Sequence, residues 1–162
     1  MNKITMAKAL KLKNRFAGRI ARLQEEIITY NSVQDGQERP DVNEMLKFLD
    51  RLVENLSCLK FAIYNANMKV QRTIFDLAER KSRLTWLQML NTRNGTFNEY
   101  GDTPTSYTAT LRKTDVDKMT SALEQEVDRL QDTLDKFNHT TEIEVPSELL
   151  EAMPTFESKK RK

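Results

Sequence analysis

Apolar side chains recur every three or four residues over most of this chain. The first such segment runs from about Thr5 to Tyr30, and its recurring residues are Ala9, Leu12, Phe16, Ile20, Leu23, Ile27 and Tyr30. This spacing places them on one face of an α-helix, and Thr5 is a residue type suited to cap its start. The polar stretch 31–40, which contains Gly36 and Pro40, predicts that the helix ends there.

A second segment carries the longest unbroken stripe. Asp41 is suited to begin a helix, and the stripe then consists of Val42, Met45, Leu49, Leu52, Leu56, Leu59, Ile63 and Ala66. The alternation of three-residue and four-residue steps is the heptad pattern of coiled coils. Leu46 and Val53 widen this stripe, which predicts that the helix packs on more than one neighbour. Cys58 lies in the apolar stretch LSCLKF and is predicted to be buried.

Two further helices are predicted. Asn65 and Asn67 weaken helix propensity, because their side chains compete for backbone hydrogen bonds, so a kink or short turn is expected there. The third helix then extends to about Leu90, with Ile74, Leu77, Leu84 and Leu87 on its main face and Phe75, Ala78 and Trp86 on a second. Thr114 is suited to cap the last helix. The stripe of that helix is Val116, Met119, Leu123, Val127, Leu130, Leu134 and Phe137.

Residues 91–113 differ in composition from the helices. They contain two glycines, a proline and an Asn-Gly turn signal, and Tyr107, Ala109 and Leu111 alternate with polar residues. This pattern predicts a long loop or a small β-hairpin. A loop of this length in a compact domain is often functional or serves as an interface arm.

The predicted fold class is therefore mainly all-α. The expected architecture is an antiparallel bundle of about four long amphipathic helices with coiled-coil-like packing and a hairpin or loop insertion near 91–113. A length of 162 residues with only four Gly and four Pro fits one such domain. That domain is expected to span 1–145, with a short strand in 138–145. A flexible tail with a basic end is expected over 146–162.

Charge and composition restrict the classes of partner. The formal net charge is only +2, so no strong global field favours nucleic acid or a membrane surface. The single cysteine excludes an internal disulfide. No apolar run approaches the ~20 residues of a membrane-spanning helix, and the first residues lack the apolar block of a signal peptide. The expected location is the cytoplasm, without a membrane partner.

The residues give no indication of catalysis. The nucleotide-binding and nucleophile-elbow motifs are absent. His139 is the only histidine, and no His/Cys cluster has the spacing of metal ligands. We expect His139 to lie at a helix C-terminus, where the helix dipole favours its charged form. The sequence thus predicts no enzyme activity, no metal and no cofactor.

Charged and amide side chains provide the candidate binding sites. Asp76 and Arg80 are four residues apart on one helix, which predicts a surface ion pair. The alternative is that Arg80, Arg83, Asn65 and Asn67 form a pocket for an anion or a partner strand. A larger ligand site at a subunit interface would draw on Asn31, Gln34, Asn65, Asn67, Arg80 and Asn138. A polyanion contact would use the basic end, namely Lys159, Lys160, Arg161 and Lys162.

An ordered set of short motifs resembles the septicolysin-like family of small helical bacterial and phage proteins. The matching positions, within about residues 5–143, are Asn31, Val33, Gln34, Asp35, Gly36, Asn65, Asn67, Asp76, Arg80, Tyr107, Leu111 and Asn138. At His139 the chain departs from the tryptophan usual in the family. The resemblance implies a bundle of long helices that self-associates, and it implies no particular activity. The family name suggests a pore-forming toxin, but the sequence lacks a membrane-inserting segment.

Three functional hypotheses follow from these patterns. Long apolar stripes exceed what a small monomeric bundle must cover, which favours a non-enzymatic, self-associating protein that acts through protein contacts. The first alternative is an oligomeric protein that binds a small ligand or anion at a subunit interface. The second is nucleic-acid contact through the basic tail, which is not expected to be the main role.

Overall fold

The computed structural model describes residues 1–98 and 104–150. These residues are mostly helical with small antiparallel sheets, which confirms the predicted all-α class. The elements in chain order are β1 (Asn2–Thr5), α1 (Met6–Asn31), α2 (Val42–Asn67), a 3-10 turn (Met68–Val70), α3 (Gln71–Gln88), β2 (Gly95–Phe97), β3 (Thr105–Tyr107), α4 (Lys113–Thr140), β4 (Glu142–Val145) and a second 3-10 turn (Ser147–Leu149). The described residues form two compact units, one of Met1–Met68 with those from Phe137 onward, and one of those within Lys69–Lys136.

The first unit is built on a hairpin of α1 and α2. The caps predicted for both helices are confirmed. Thr5 Oγ1 accepts the Lys8 N–H at 3.3 Å, and Asp41 Oδ1 accepts the N–H groups of Asn43 and Glu44 at 3.0 and 3.4 Å. The connection between the helices turns at Gly36, whose φ of 86° is a conformation that glycine adopts without strain. This short connection returns the chain, so the two helices pack as antiparallel neighbours.

The core of this unit follows the predicted stripes. Its buried residues are Ile4, Met6, Ala9, Leu12, Phe16, Leu23, Met45, Phe48, Leu52, Leu56, Leu59, Ile63, Ile143, Val145 and Leu149. Ile20, Ile27 and Tyr30, which the α1 stripe also predicted, are partly buried against it. Phe48 was not part of the predicted α2 stripe. Its burial shows that the inner face of α2 is wider than a heptad seam.

A two-stranded sheet closes the end of the hairpin. β1 pairs antiparallel with β4, with Asn2 opposite Val145 and Thr5 opposite Glu142. The apolar side chains of β4 alternate with exposed glutamates, so the strand buries one face on the helices. The sequence predicted the strand in 138–145 but not β1. The chain then continues through the second 3-10 turn, where Leu149 is buried, so the packed region extends past the predicted boundary at 145.

The second unit contains α3, a small hairpin and α4 up to Lys136, and the last residues of α4 belong to the first unit. Gly95 pairs with Tyr107 and Phe97 pairs with Thr105, which confirms the β-hairpin predicted within 91–113. The rings of Phe97 and Tyr107 are 5.9 Å apart in an edge-to-face arrangement. Of the predicted apolar stripes in this unit, the buried members are Leu77, Leu87, Val116 and Leu123. Residues 99–103 of the hairpin lie outside the described residues.

Two predictions about single residues are wrong. Cys58 is exposed, because it lies on the outer side of α2, away from the stripe that enters the core. Thr114 does not cap α4, since the helix already begins at Lys113. The carbonyl of Arg112 accepts the first helical hydrogen bond, from Val116 at 3.1 Å, and the Arg112 N–H donates to the Asp115 carboxylate at 3.0 Å. Arg112 is therefore the cap residue, and Asp115 accepts from its N–H as the acidic residue at the third helical position of a capping box does.

Candidate functional site

The outer face of α2 carries a second apolar stripe that the described residues leave uncovered. Its exposed apolar members are Leu46, Val53, Phe61 and Tyr64, together with Met68, which directly follows the last residue of α2. Two small or polar residues, Asp50 and Ser57, complete its three-residue and four-residue spacing. We call these seven positions the α2 stripe. Because they follow the helical period, they lie together along one side of the helix, and their exposure shows that this side is not the buried one.

The α2 stripe is large for a free surface. Phe61 is 66% exposed, Tyr64 58% and Met68 64%. An aromatic side chain has an area of about 150–250 Å², and the aliphatic side chains here are somewhat smaller. Multiplied by their exposed fractions, the five apolar residues together expose roughly 500 Å². Patches of about 300–600 Å² are the largest on most monomers and often mark interaction sites. The α2 stripe is therefore the strongest candidate for a contact surface in this unit.

Polar side chains flank the α2 stripe. Glu44 Oε1 lies 2.8 Å from Lys47 Nζ, and this hydrogen bond raises the pKa of Lys47. The Arg51 guanidinium lies over the Phe48 ring at 5.6 Å, and the Cys58 thiol lies 3.8 Å from Glu54 Oε1. An apolar centre with a charged border is the usual composition of a protein–protein interface.

α3 exposes an apolar face of its own. Phe75, Ala78, Trp86 and Met89 are all exposed, although the sequence predicted that the first three would form a second packing face. The side of α3 that packs within its unit carries Leu77 and Leu87. The exposed face of α3 is thus a second apolar surface without a cover among the described residues.

A shallow cleft lies between α3 and α4 in the second unit. Arg80 Nε is 2.9 Å from Glu126 Oε2, and Lys81 Nζ donates to Gln131 Oε1 at 3.1 Å, so polar contacts join the two helices. The cleft has a volume of about 220 Å³ and is lined by Arg80, Arg83, Leu87, Met119, Ala122, Leu123 and Glu126. It combines two guanidinium groups with an apolar floor.

The predicted ion pair between Asp76 and Arg80 does not form. Asp76 instead pairs with Arg72, with Arg72 Nε 3.6 Å from Asp76 Oδ2. Arg80 turns towards α4, because the Glu126 carboxylate there allows a 2.9 Å contact. Arg83 makes no ion pair within the described ranges, so it presents a free positive charge at the cleft.

The structure distributes the amide candidates over the ends of the helices. Asn31 is the last residue of α1, and Gln34 lies in the turn that follows. Asn65 and Asn67 lie at the far end of α2, and α2 is 26 residues or about 39 Å long. Asn138 is half-buried in the last turn of α4. Asn31 and Gln34 therefore do not share a site with Asn65 and Asn67 in one copy of the unit.

Side-chain clusters that could hold a metal and helices that could span a membrane are both absent from the part of the chain that the structure describes. No group of three or more His, Cys, Asp or Glu side chains there has the geometry of a metal site. None of its helices is both long enough and apolar enough to cross a bilayer. His139 lies in the last turn of α4, as predicted. Lys159, Lys160, Arg161 and Lys162 fall outside the described residues.

Comparison with known proteins supports the fold. No protein-family model matches the chain, and no curated protein matches it. A solved crystal structure does match, that of a functionally unknown conserved protein from Corynebacterium diphtheriae. The TM-score is 0.70 at 19% identity, and the match covers 88% of this chain and 100% of the other. The two proteins therefore share a fold across most of this chain.

Proposed function

We propose that this chain is a non-enzymatic helical protein that self-associates and acts through protein–protein contacts. The observation that carries the proposal is the α2 stripe, a row of exposed apolar side chains along one long helix. Leaving roughly 500 Å² of apolar surface in water is unfavourable by about 25 cal/mol per Å². Association that covers this surface removes that cost, and a standard interface buries about 800 Å² on each partner.

The sequence patterns support the same proposal. Apolar side chains at three-residue and four-residue spacing occupy two sides of α2, one in the core and one exposed. We propose that coiled-coil-like packing on the exposed side occurs between copies. The motifs that resemble the septicolysin-like family also imply self-association. We propose membership of that family as part of the same hypothesis.

Native mass spectrometry of gently purified protein tests self-association directly. We expect a defined oligomer, at an integer multiple of the 18.9 kDa chain mass. The same spectrum would reveal a retained ligand as additional stoichiometric mass. A spectrum that shows only the 18.9 kDa monomer, together with monomeric sedimentation at tens of micromolar, would contradict the proposal.

The α3–α4 cleft supports a second candidate function, the binding of a small anion. Arg83 has no ion-pair partner within the described residues, and Arg80 is held beside it by Glu126. The buried side chains of Leu87 and Leu123 form an apolar floor. A guanidinium above an apolar surface suits a carboxylate that carries a small apolar group. The volume of about 220 Å³ limits the ligand to a small molecule.

Replacing Arg83 with glutamine should weaken carboxylate binding at this cleft at least tenfold, because the charge-assisted contact is lost. The probe is sodium benzoate, titrated against ¹⁵N-labelled protein and followed by chemical shifts, with sodium chloride at the same ionic strength as reference. Arg22→Gln, an exposed arginine on α1, is the matched control and should bind as the wild type does. Benzoate shifts around the cleft that equal those of chloride would rule this function out.

A further inference from the structure

The spacing of residues in the α2 stripe is the same whether it is read from the N-terminal or the C-terminal end. Its seven positions are Leu46, Asp50, Val53, Ser57, Phe61, Tyr64 and Met68, with steps of 4, 3, 4, 4, 3 and 4 residues. The pattern is therefore symmetric about Ser57. A helix face with this symmetry can meet a second copy of itself, antiparallel, so that every stripe position faces another stripe position.

The side chains match in size under this pairing. Leu46 of one copy would face Met68 of the other, and Val53 would face Phe61. In each of these two pairs a smaller or more flexible side chain meets a larger one. The two layers that the pairs form are therefore similar in width, as close packing requires. Ser57 would face its own counterpart at the centre, where its small side chain allows the helices to approach closely.

The one charged residue of the stripe also finds a partner. Asp50 would face Tyr64 of the second copy, whose phenolic O–H can donate to the carboxylate. Asp50 makes no ion pair within the described residues. In a parallel pairing Asp50 would face Asp50, and two like charges in one layer are unfavourable. The charge of Asp50 therefore favours the antiparallel arrangement.

We propose that two copies of this protein pair through α2, antiparallel, about a two-fold axis that passes beside Ser57. The partner surface is the same α2 stripe on the second copy, so the interface is isologous. This inference rests on the proposed self-association and specifies its surface and geometry. Cys58, which is exposed in the single chain, would lie at the border of the interface next to the axis.

Site-directed cysteine cross-linking tests the axis in the full-length protein. Ser57→Cys, introduced with Cys58→Ser so that it carries the only cysteine, should form a covalent dimer under mild oxidation. Disulfides need Cα atoms about 4.4–6.8 Å apart, which the proposed axis provides at Ser57. Ser121→Cys in the same background is the matched control, because it also replaces an exposed helical serine. It should remain monomeric on a non-reducing gel.

A mixing experiment tests the direction of the helices. Leu46→Cys and Met68→Cys, each with Cys58→Ser, should cross-link when mixed, whereas Leu46→Cys alone should not. In the antiparallel pair the two Leu46 positions lie about 33 Å apart, at 1.5 Å per residue over the 22 residues to Met68. Efficient cross-linking of Leu46→Cys with itself would show a parallel pair and overturn the inference.

The outcomes separate this inference from the proposed function. An oligomer in the native mass spectrum without cross-linking at Ser57→Cys would mean that copies associate through another surface, such as the exposed face of α3. That result would overturn the α2 pairing and leave self-association standing. A monomer in the native mass spectrum would contradict both the α2 pairing and the proposed self-association.

Discussion

Replacing Phe61 with aspartate is expected to weaken self-association at least 100-fold without unfolding the protein. Phe61 is the most exposed aromatic side chain of the α2 stripe, so the change removes nothing from the core. In the proposed pair it would place a carboxylate against Val53 of the second copy. Burying an unpaired charge costs several kcal/mol, and losses above 2 kcal/mol are typical of central interface residues. Sedimentation equilibrium measures the dissociation constant.

Ile28→Asp is the matched control for this variant. Ile28 is 76% exposed and lies on α1, outside the α2 stripe, so the same type of change should leave the dissociation constant unaltered. The helical circular dichroism spectrum should be the same for both variants and the wild type. Equal association of Phe61→Asp and the wild type would exclude the α2 stripe as the contact surface.

Truncating Leu59 to alanine is expected to lower the free energy of unfolding by about 2–5 kcal/mol. Leu59 is fully buried in the core of the first unit, among side chains of α1 and α2. The loss combines the missing transfer free energy with the cavity that the remaining side chains fill only in part. Urea unfolding followed by circular dichroism measures the change, in the Phe61→Asp background so that association does not contribute.

Leu111→Ala in the same background serves as the comparison. Leu111 is 42% exposed, so the same chemical change should cost no more than about 0.5 kcal/mol. If the two variants lost equal stability, burial in the α1–α2 core would not be the source of the effect.

Helices are the part of this fold that the sequence predicts best, because their signal is local. The apolar spacing from Ala9 to Tyr30 repeats every turn, and Thr5 and Asp41 carry the side-chain oxygens that cap their helices. The hairpin in 91–113 was recognisable for the same reason, since its turn-forming residues and apolar alternation lie within the segment itself. The Asn-Gly pair does not connect the strands, however, because Gly95 is the first residue of β2 and pairs with Tyr107.

β1 was not predictable in the same way. Its four residues contain one buried apolar side chain, Ile4, and its hydrogen-bonding partner begins at Glu142. Strand propensity depends on the neighbouring strand, and here that strand lies at the other end of the chain. The extension of the packed region to Leu149 follows from the same sheet and could not be read from the local sequence.

The candidate sites show what the apolar periodicity of a helix does not predict. A heptad pattern predicts that a face is covered, but it does not say whether the cover comes from the same chain or from another. Leu46 and Val53 predict a further neighbour for this helix, and both are exposed, so no part of the described chain supplies that neighbour. The remaining apolar members, Phe61, Tyr64 and Met68, stand at the same helical spacing and could have been found by following that second stripe.

The α3–α4 cleft depends on which carboxylate pairs with Arg80 in the folded chain. Arg80 was placed with Asp76 because the two are four residues apart, yet its contact is Glu126, on α4. Sequence spacing predicts pairs within one helix. Pairs between helices require their relative register, which the sequence does not supply.

The most direct test of the central claim, pairing of two copies through α2, is a pulsed electron resonance distance measurement on the wild-type sequence. Cys58 is the only cysteine and is exposed, so one spin label can be attached without a substitution. Since paired helices lie about 8–10 Å apart, labels beside the proposed axis should be separated by a single, narrow distance of roughly 15–25 Å. A distance beyond about 40 Å, or no dipolar signal between copies, would contradict the pairing.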